Sequence, residues 1–275
     1  FYLDYSFPNY NDFDTLEMFV KKMSNNLFIK ELTQNINPKN KVLEFGCGTG
    51  QLGNYLAATG YSQIISADLS INSLKLANNF KKKNNINGIN FVETDIFNHC
   101  FKEKIFDIII TNGVLHHTKD PYSAFKILIK SLKNEGYVLV GLYNKFGRLR
   151  TIFRRYIYKI FGRSIIEKID PTLRNLKFDE NEKMAWIKDQ YTHPIESLHT
   201  IDEVLDWFNN NDIEFISSIP SSDFDYDYQN IFEKKNPGTF FSRILNQLLM
   251  IFNSFGSDGG LFVLIGKKNN IDNLK

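Results

Sequence analysis

Cysteine, arginine and long apolar runs are scarce in this chain of 275 residues. The two cysteines, Cys47 and Cys100, lie far apart in sequence, which excludes a disulfide framework and suits a reducing compartment. No apolar run approaches the roughly 18 residues that a membrane-spanning helix requires. The residues that follow Phe1 lack the charged and then apolar order of a signal peptide. We therefore expect a cytoplasmic protein.

The composition predicts a globular core, because 43% of the residues are hydrophobic and 15% are aromatic. The length suits one large domain, or one domain with a sizeable insertion. A net charge of +2 indicates nothing general about nucleic acid. The basic residues are unevenly placed, however, since five of the seven arginines fall between residues 148 and 163.

Strands and helices alternate along residues 41–142. The hydrophobic spacing predicts strands at 41–45, 63–67, 89–93, 106–111 and 136–142, and helices at 51–59, 71–83 and 121–132. The alternation stops at residue 143 and resumes with Thr200 as a helix N-cap, a helix at 201–210 and strands at 213–219 and 260–267. This order predicts a mostly parallel sheet with helices on both faces.

A glycine-rich loop follows the first of these strands, in the stretch VLEFGCGTGQ at 42–51. A dinucleotide fingerprint, G-x-G-x-x-G, would need glycine at the position of Gln51. Between Val42 and Leu74 there is no Lys or Arg, and the charged residues are Glu44 and Asp68. Acidic groups on two neighbouring strands favour a ligand with positive charge and free hydroxyls over a pyrophosphate.

Three strand ends carry a carboxylate each: Glu44, Asp68 and Asp95. In open α/β sheets the carboxyl ends of parallel strands form the ligand-binding edge. At that edge Asp68 is placed to accept hydrogen bonds from both hydroxyls of a ribose, and Asp95 to accept one from an adenine amino group.

Four motifs in this order resemble those of class I S-adenosylmethionine-dependent methyltransferases. They are VLEFGCGTGQL at 42–52, ADLS at 67–70, TDIF at 94–97 and FDIIITNGVLHHTKDP at 106–121. The resemblance covers residues 41–142 closely and 200–267 more weakly. It implies S-adenosylmethionine as the cofactor, S-adenosylhomocysteine as the product, and an α/β, doubly wound Rossmann-like mixed sheet whose last strand is antiparallel. The cofactor residues that it implies are Glu44, Gly46, Cys47, Gly48, Gly50 and Gln51 for the methionine portion, Asp68 and Leu69 for the ribose, Asp95 and Ile96 for the adenine, and Asn112, Gly113 and Val114 near the sulfonium.

Two alternatives to a methyltransferase stay open at this point. The chain can be a plain Rossmann domain whose acids are solvated strand ends, or a cofactor-binding regulatory module without turnover. Four motifs at matching spacing count against the first, and the absence of a visibly broken motif counts against the second.

Catalytic candidates follow the fourth strand and precede the helix at 201. His116 and His117 lie at the mouth of the expected site, and one of them is expected to be structural. The stretch DQYTHPIESLHT at 189–200 adds Tyr191, His193, Glu196 and His199. These groups form either an acceptor pocket or a capping segment in which the histidines pair with the backbone. The spacing of the two histidines lacks a third ligand, so we expect no metal site.

The class of acceptor is constrained mainly by a motif that is missing after the fourth strand. Methyltransferases of adenine N6, cytosine N4 and glutamine amides typically carry Asn/Asp-Pro-Pro-aromatic there, whereas this chain has Thr-Asn-Gly-Val at 111–114. The GVLHH form at 113–117 resembles small-molecule and quinone- or sterol-type carbon and oxygen methyltransferases. We therefore expect a small-molecule acceptor and no nucleic acid, with Tyr143, Asn144, Arg148 and Glu196 as candidate substrate contacts.

The expected organisation has four parts: an N-terminal helical segment (1–40), the cofactor domain (41–142 and 200–275), an inserted, mainly helical cap (143–199) and a second insertion (220–257). The stretch 147–162 is amphipathic and basic. We expect a lid helix with its apolar face on the fold, although binding of an anionic acceptor or a membrane surface also fits. The apolar stretch 239–252 is expected to be a helix that covers the site or forms a dimer contact.

Overall fold

The computed structural model describes residues 10, 15–174, 179–252 and 260–270. Residues 1–9, 11–14, 175–178, 253–259 and 271–275 lie outside this description. They belong to the expected N-terminal segment, cap, second insertion and cofactor domain. Within these ranges, no helix combines the length and the apolar character that crossing a bilayer requires.

Seven strands form one mixed sheet in the order β3-β2-β1-β4-β5-β7-β6. Their bounds are β1 Val42–Phe45, β2 Ile64–Asp68, β3 Ile89–Glu93, β4 Phe106–Asn112, β5 Leu132–Tyr143, β6 Ile213–Ile219 and β7 Leu261–Lys268. The first five strands pair in parallel, and β7 runs antiparallel to both β5 and β6. The expected Rossmann-like mixed sheet is therefore confirmed.

The helices lie on both faces of this sheet. Their bounds are α1 Leu16–Ser24, α2 Leu27–Asn35, α3 Gln51–Ala58, α4 Ile71–Lys83, α5 Pro121–Lys130, α6 Leu149–Phe161, α7 Arg163–Ile169, α8 Glu180–Ile187, α9 Ile201–Asn209 and α10 Phe240–Leu249. One core contains Phe125 of α5 and Phe208 of α9. The core on the other face contains Phe19 of α1, Leu56 of α3 and Phe80 of α4. Two separate cores are what a doubly wound sheet requires.

Side-chain caps explain why several helices begin where they do. Ser70, Asp120 and Thr200 accept hydrogen bonds from the backbone of the first turns of α4, α5 and α9. The expected N-terminal helical segment contains two helices, α1 and α2. The second begins where it does because Asn26 caps it by accepting a hydrogen bond from Ile29 N.

Helices α6, α7 and α8, in the segment predicted to be a cap, enclose a small core of their own. It is formed by Ile166, Leu173, Trp186, Ile187 and Tyr191. The buried carboxylate of Asp170 joins this core, since its Oδ2 accepts hydrogen bonds from Trp186 Nε1 at 2.8 Å and from the Tyr191 hydroxyl. A turn of π-helix, Lys188–Thr192, connects α8 to the stretch that re-enters the main fold.

The orientation of α6 is the reverse of the expected one. Phe153 is 67% exposed and Ile160 is 72% exposed, so the apolar stripe faces away from the fold. The basic side chains of Arg148 and Arg155 point inward instead. They do so because the buried carboxylate of Glu196 pairs with both of them, which compensates for the loss of their hydration. The expectation of a lid helix with a buried apolar face was wrong.

Candidate active site

The glycine loop between β1 and α3 is built from left-handed backbone. Gly46, Gly48 and Gly50 have φ values of 76°, 53° and 71°, a region that residues with a Cβ rarely adopt. A Cβ at Gly46 would overlap the side chain of Val114, and one at Gly50 would lie 2.6 Å from Phe91 Cε1. The loop, which we call the glycine cradle, therefore needs glycine for conformation and for space.

Glu44 lies beneath this cradle and is buried. Its Oε2 accepts hydrogen bonds from Ser66 Oγ at 2.7 Å and from Gly53 N at 3.1 Å. Burial, which penalises the charged form, raises the pKa of Glu44 to about 7 despite these hydrogen bonds. A cationic group bound nearby will therefore favour the ionised form of Glu44.

Asp68, at the end of β2, fixes the glycine loop from the neighbouring strand. Its Oδ2 accepts from Gly48 N at 2.7 Å, and its Oδ1 accepts from Ser70 N at 2.8 Å. Burial raises the pKa of Asp68. Each carboxylate oxygen can accept more than one hydrogen bond, so capacity for ribose hydroxyls remains. Leu69 beside it is 69% exposed, an apolar surface suited to the flat face of a base.

The remaining residues implied for the cofactor follow β3 and β4. Asp95 Oδ1 accepts from Phe97 N at 2.8 Å, and Ile96 is buried. Gly113, with φ 78°, donates from its N–H to Gly141 O at 3.0 Å. Asn112 is exposed at the end of β4. All of these residues lie at the carboxyl edge of parallel neighbours, as the sequence predicted for the site.

Cys47 and Gln51 complete the set. Burial raises the pKa of the Cys47 thiol well above its usual value, so this cysteine is not a reactive thiolate. Gln51 is the first residue of α3 and directly follows the glycine loop. The glycine cradle, the strand-end carboxylates and the exposed Leu69 together fit an adenosyl cofactor with a cationic amino-acid portion.

His117 and His193 are joined through the backbone of Ile195. His117 Nδ1 donates to the carbonyl of Ile195 at 2.8 Å, and His193 Nδ1 accepts from Ile195 N at 3.2 Å. Burial lowers the pKa of both rings, that of His193 to about 4, aided by the neighbouring His117. Both imidazoles are therefore neutral at physiological pH, with opposite tautomers.

His116 is completely buried and packs against Tyr143, with ring centres 4.0 Å apart. Within the described residues, neither of its ring nitrogens has a hydrogen-bond partner. Burial lowers the pKa of His116 well below its usual value. Its backbone oxygen accepts from Ser197 N at 2.8 Å, which ties the cap segment to the end of β4.

Arg148 is the centre of a buried network under the cap. Its side chain is fully buried, and its Nη2 donates to Glu196 Oε2 at 2.7 Å. Its Nη1 donates to Gln190 Oε1 at 2.6 Å, and its guanidinium lies 3.7 Å from the centre of the Tyr143 ring. Although burial raises it, the charges of Arg148 and Arg155 hold the pKa of Glu196 below its usual value. The structure thus brings Tyr143, Arg148 and Glu196 together.

Three other candidates make contacts of a structural kind. The Tyr191 hydroxyl donates to the buried Asp170. His199 contacts Ser197 Oγ at 2.7 Å through Nε2 and Glu203 Oε1 at 2.9 Å through Nδ1. The side chain of Asn144 accepts from Phe146 N and Gly147 N. The catalytic or substrate roles of these residues stay predictions.

Sequence reasoning did not include Gln190, Arg155 or Tyr10 among the candidate site residues. Gln190 and the backbone at 190 receive Arg148 and Arg155. The spacing of Arg148 and Arg155 indicated that both point to the same side. Arg148 directly precedes α6, and residues seven apart lie on one face of a helix. Tyr10 donates from its hydroxyl to Thr49 O in the glycine loop at 2.8 Å, a long-range contact without a local signature.

Comparison with known proteins shows the family to which the chain belongs. A family model described as a methyltransferase domain matches residues 36–203, which is more than half of the chain. The chain belongs to this family. It is a class I S-adenosylmethionine-dependent methyltransferase domain. S-adenosylmethionine is accordingly the cofactor that the family implies.

Curated relatives of this methyltransferase are named as N- and O-methyltransferases. Phosphoethanolamine N-methyltransferase 1 of Zea mays is 28% identical over 203 residues, which are 72% of this chain and 38% of that protein. A ubiquinone biosynthesis O-methyltransferase of Glaesserella parasuis is 26% identical over 192 residues, 68% of this chain and 70% of that one. The methyltransferase spans 38% to 48% of the length of several relatives, including the maize protein.

Solved structures agree on the fold. A methyltransferase from Methanosarcina mazei has a TM-score of 0.54 at 17% identity, covering 86% of this chain and 96% of that one. A methyltransferase from Bacillus halodurans has a TM-score of 0.52 at 15% identity, covering 90% and 100%. At these identities the likeness shows that the methyltransferase shares their fold.

Proposed function

We propose that the protein transfers a methyl group from S-adenosylmethionine to a small organic acceptor held beneath the cap, with His117 as the general base. The tautomer of His117 carries this proposal. Because Nδ1 donates to the Ile195 carbonyl, the basic lone pair of the neutral ring belongs to Nε2. His117 also follows Asn112–Val114, the stretch that the resemblance places near the sulfonium.

The chemistry of the chain is positioning and proton removal. When bound, the cofactor supplies an electrophilic methyl group and leaves as a neutral thioether. Holding the acceptor in line with that methyl supplies much of the rate acceleration. Burial lowers the pKa of His117, so the ring is ready to take a proton from a hydroxyl or ammonium as the acceptor becomes nucleophilic.

Two guanidinium groups under the cap are suited to contact an acceptor that carries negative charge. Arg148 and Arg155 converge on Glu196, and Asp189 joins the same network through Gln190. The relatives named for phosphoethanolamine and for ubiquinone biosynthesis act on amino and hydroxyl acceptors. We therefore propose a small amine or phenol-type acceptor with an anionic group. Two free thiols, Cys47 and Cys100, support the cytoplasmic location predicted above.

The test is methyl transfer from labelled S-adenosylmethionine to phosphoethanolamine and to a panel of catechols and hydroxybenzoates. We expect a labelled product from at least one of them. His117→Gln should lower kcat by about 10²–10⁴-fold, the range typical of a lost general base, with unchanged cofactor affinity in calorimetry.

His199→Gln is the contrasting variant, since both of its ring nitrogens contact Ser197 and Glu203. We expect His199→Gln to lower the melting temperature and to change kcat much less than His117→Gln does. Cofactor binding without transfer to any acceptor would instead support the regulatory-module alternative. An unchanged kcat in His117→Gln would remove the general base from the proposal.

A further inference from the structure

Exposed apolar side chains are concentrated on α6, α7 and α10 and on the turn that follows α10. Of the twenty large hydrophobic residues that are exposed in the described part of the chain, thirteen belong to residues 149–169 and 240–252. We call them the α6–α10 face: Leu149, Phe153, Tyr156, Ile160, Phe161, Ile165, Ile169, Phe240, Phe241, Leu245, Leu248, Leu249 and Phe252. A contiguous apolar surface of this kind marks an interaction site.

The residues of each helix form one stripe. In α6 they are spaced by four, three and four residues, at Leu149, Phe153, Tyr156 and Ile160. In α10 the same spacing begins at Phe241 and continues with Leu245 and Leu248, while the buried Asn246 and Gln247 point inward. This period places each stripe on a single outward face of its helix.

The two stripes border each other where α6 begins and α10 ends. Arg150 Nη1 donates to Ile251 O, in the turn after α10, at 3.4 Å. Asn144 Nδ2 donates to Gln247 Oε1 at 2.8 Å, which joins the approach to α6 to the last turns of α10. The α6–α10 face is therefore one surface with contributions from both insertions.

The charged residues of α6 and α10 have one sign, and the carboxylate of Glu167 on α7 is paired with Arg163. Neither α6 nor α10 contains an Asp or Glu. Arg150 and Lys159 are exposed on α6 and flank its stripe on opposite sides. An apolar helix face with basic residues at its borders is the pattern of a helix that lies in the interface of an anionic bilayer.

We propose that the α6–α10 face docks on the surface of an anionic lipid bilayer. A second copy of the chain fits less well, because a symmetric contact would bring the same basic borders together without acids on these helices. Aromatic rings are frequent on the face, and they suit the headgroup level of a membrane. Arg148, which precedes α6, contacts Tyr143, so docking would bring the acceptor side of the sheet edge to the lipid.

The experiment is co-sedimentation of the full chain with vesicles of phosphatidylcholine alone or with about one third phosphatidylglycerol, without cofactor. We expect binding to the anionic vesicles that weakens in high salt. Phe153→Ser/Phe241→Ser and Arg150→Glu/Lys159→Glu should each reduce binding at least about tenfold, since each removes burial or attraction at the face. Omitting cofactor and acceptor makes this test independent of the proposed reaction.

Lys82→Glu/Lys83→Glu is the matched control, because it makes the same charge change on the exposed surface of α4. It should leave vesicle binding within about twofold of wild type. Circular dichroism and calorimetry with S-adenosylmethionine check that every variant is folded. The proposal is overturned if wild type fails to sediment with anionic vesicles, or if control and face variants lose binding equally. A dimer in light scattering that Phe153→Ser/Phe241→Ser dissolves would also overturn it.

Discussion

The imidazole rings of His117 and His193 lie 3.9 Å apart, centre to centre, at an angle of 40°. One residue, Ile195, fixes both tautomers: its carbonyl accepts from His117 Nδ1 and its N–H donates to His193 Nδ1. His117 thus presents a basic Nε2 and His193 an Nε2–H donor. The pair is complementary without either ring being charged.

Protonation of His193 is expected to destabilise the fold in acid. Its pKa is about 4 when folded, whereas an unfolded histidine titrates near 6.5. The unfolded chain therefore binds the proton more tightly between these values, and the free energy of unfolding rises with pH from about 4 to 6.5. After allowance for partial exposure, we expect about 1–2 kcal/mol from this group. Urea denaturation across that range should show a smaller rise for His193→Gln; identical slopes would contradict the prediction.

Glu44 is expected to couple cofactor binding to pH. Its pKa is raised to about 7 in the folded chain, so the stability it contributes is present below about pH 4.5 and is lost as the pH rises through 7. A bound cationic ligand reverses the preference, because it favours the carboxylate. Calorimetry with S-adenosylmethionine should show affinity increasing by up to about tenfold from pH 6 to 8.

Glu44→Gln is the isosteric test of that coupling, since an amide oxygen can still accept from Ser66 Oγ and Gly53 N. The variant should bind the cofactor more weakly and with less dependence on pH. A pH dependence equal to that of wild type would assign the titration to another group.

Replacement of Gly50 is expected to cost both conformational and steric energy. Gly50→Ala puts a Cβ on left-handed backbone and 2.6 Å from Phe91 Cε1. Gly60→Ala is the matched control, because Gly60 also has positive φ but no atom within 4 Å of the added Cβ. We expect a loss of about 1–2 kcal/mol for the control and at least about 1 kcal/mol more for Gly50→Ala. Thermal denaturation of the two variants measures the difference, and equal losses would show that the loop yields to the added methyl.

The buried pair of Arg148 and Glu196 is expected to stabilise the cap. Glu196→Gln removes the carboxylate that pairs with the fully buried guanidinium of Arg148, and a loss of about 3–5 kcal/mol is typical when a buried ion pair is broken. Glu135→Gln, which removes the exposed partner of Lys267, should change the free energy of unfolding very little. Urea denaturation of both variants measures this difference. Comparable losses in the free energy of unfolding would show that the buried pair stabilises the fold no more than the exposed one.

Local signals predicted most of the cofactor domain. Helix α4 at 71–83 and strands β3 and β6 have the bounds that hydrophobic spacing indicated. Strand β5 is longer than expected because it begins at Leu132, before an irregular step in its register with β4. Such irregularities depend on the partner strand, which a single sequence does not reveal.

The cap was harder to predict because its contacts are distant in sequence. The face that α6 presents to the fold is decided by Glu196 and Gln190, about forty residues further along the chain. Amphipathic spacing correctly indicated the helix. It did not show whether the apolar or the basic side chains of α6 would face the fold. Long-range ion pairing, which periodicity does not encode, decided between them.

Asn144 joins segments that are remote from each other in the chain. Its backbone N donates to Gly260 O, its Nδ2 donates to Gln247, and it pairs with His199 as an isolated bridge. The first insertion, the second insertion and the last strand thus share one anchor directly after Tyr143. Because Tyr143 packs against His116, this anchor connects α10 with the residues that follow β4.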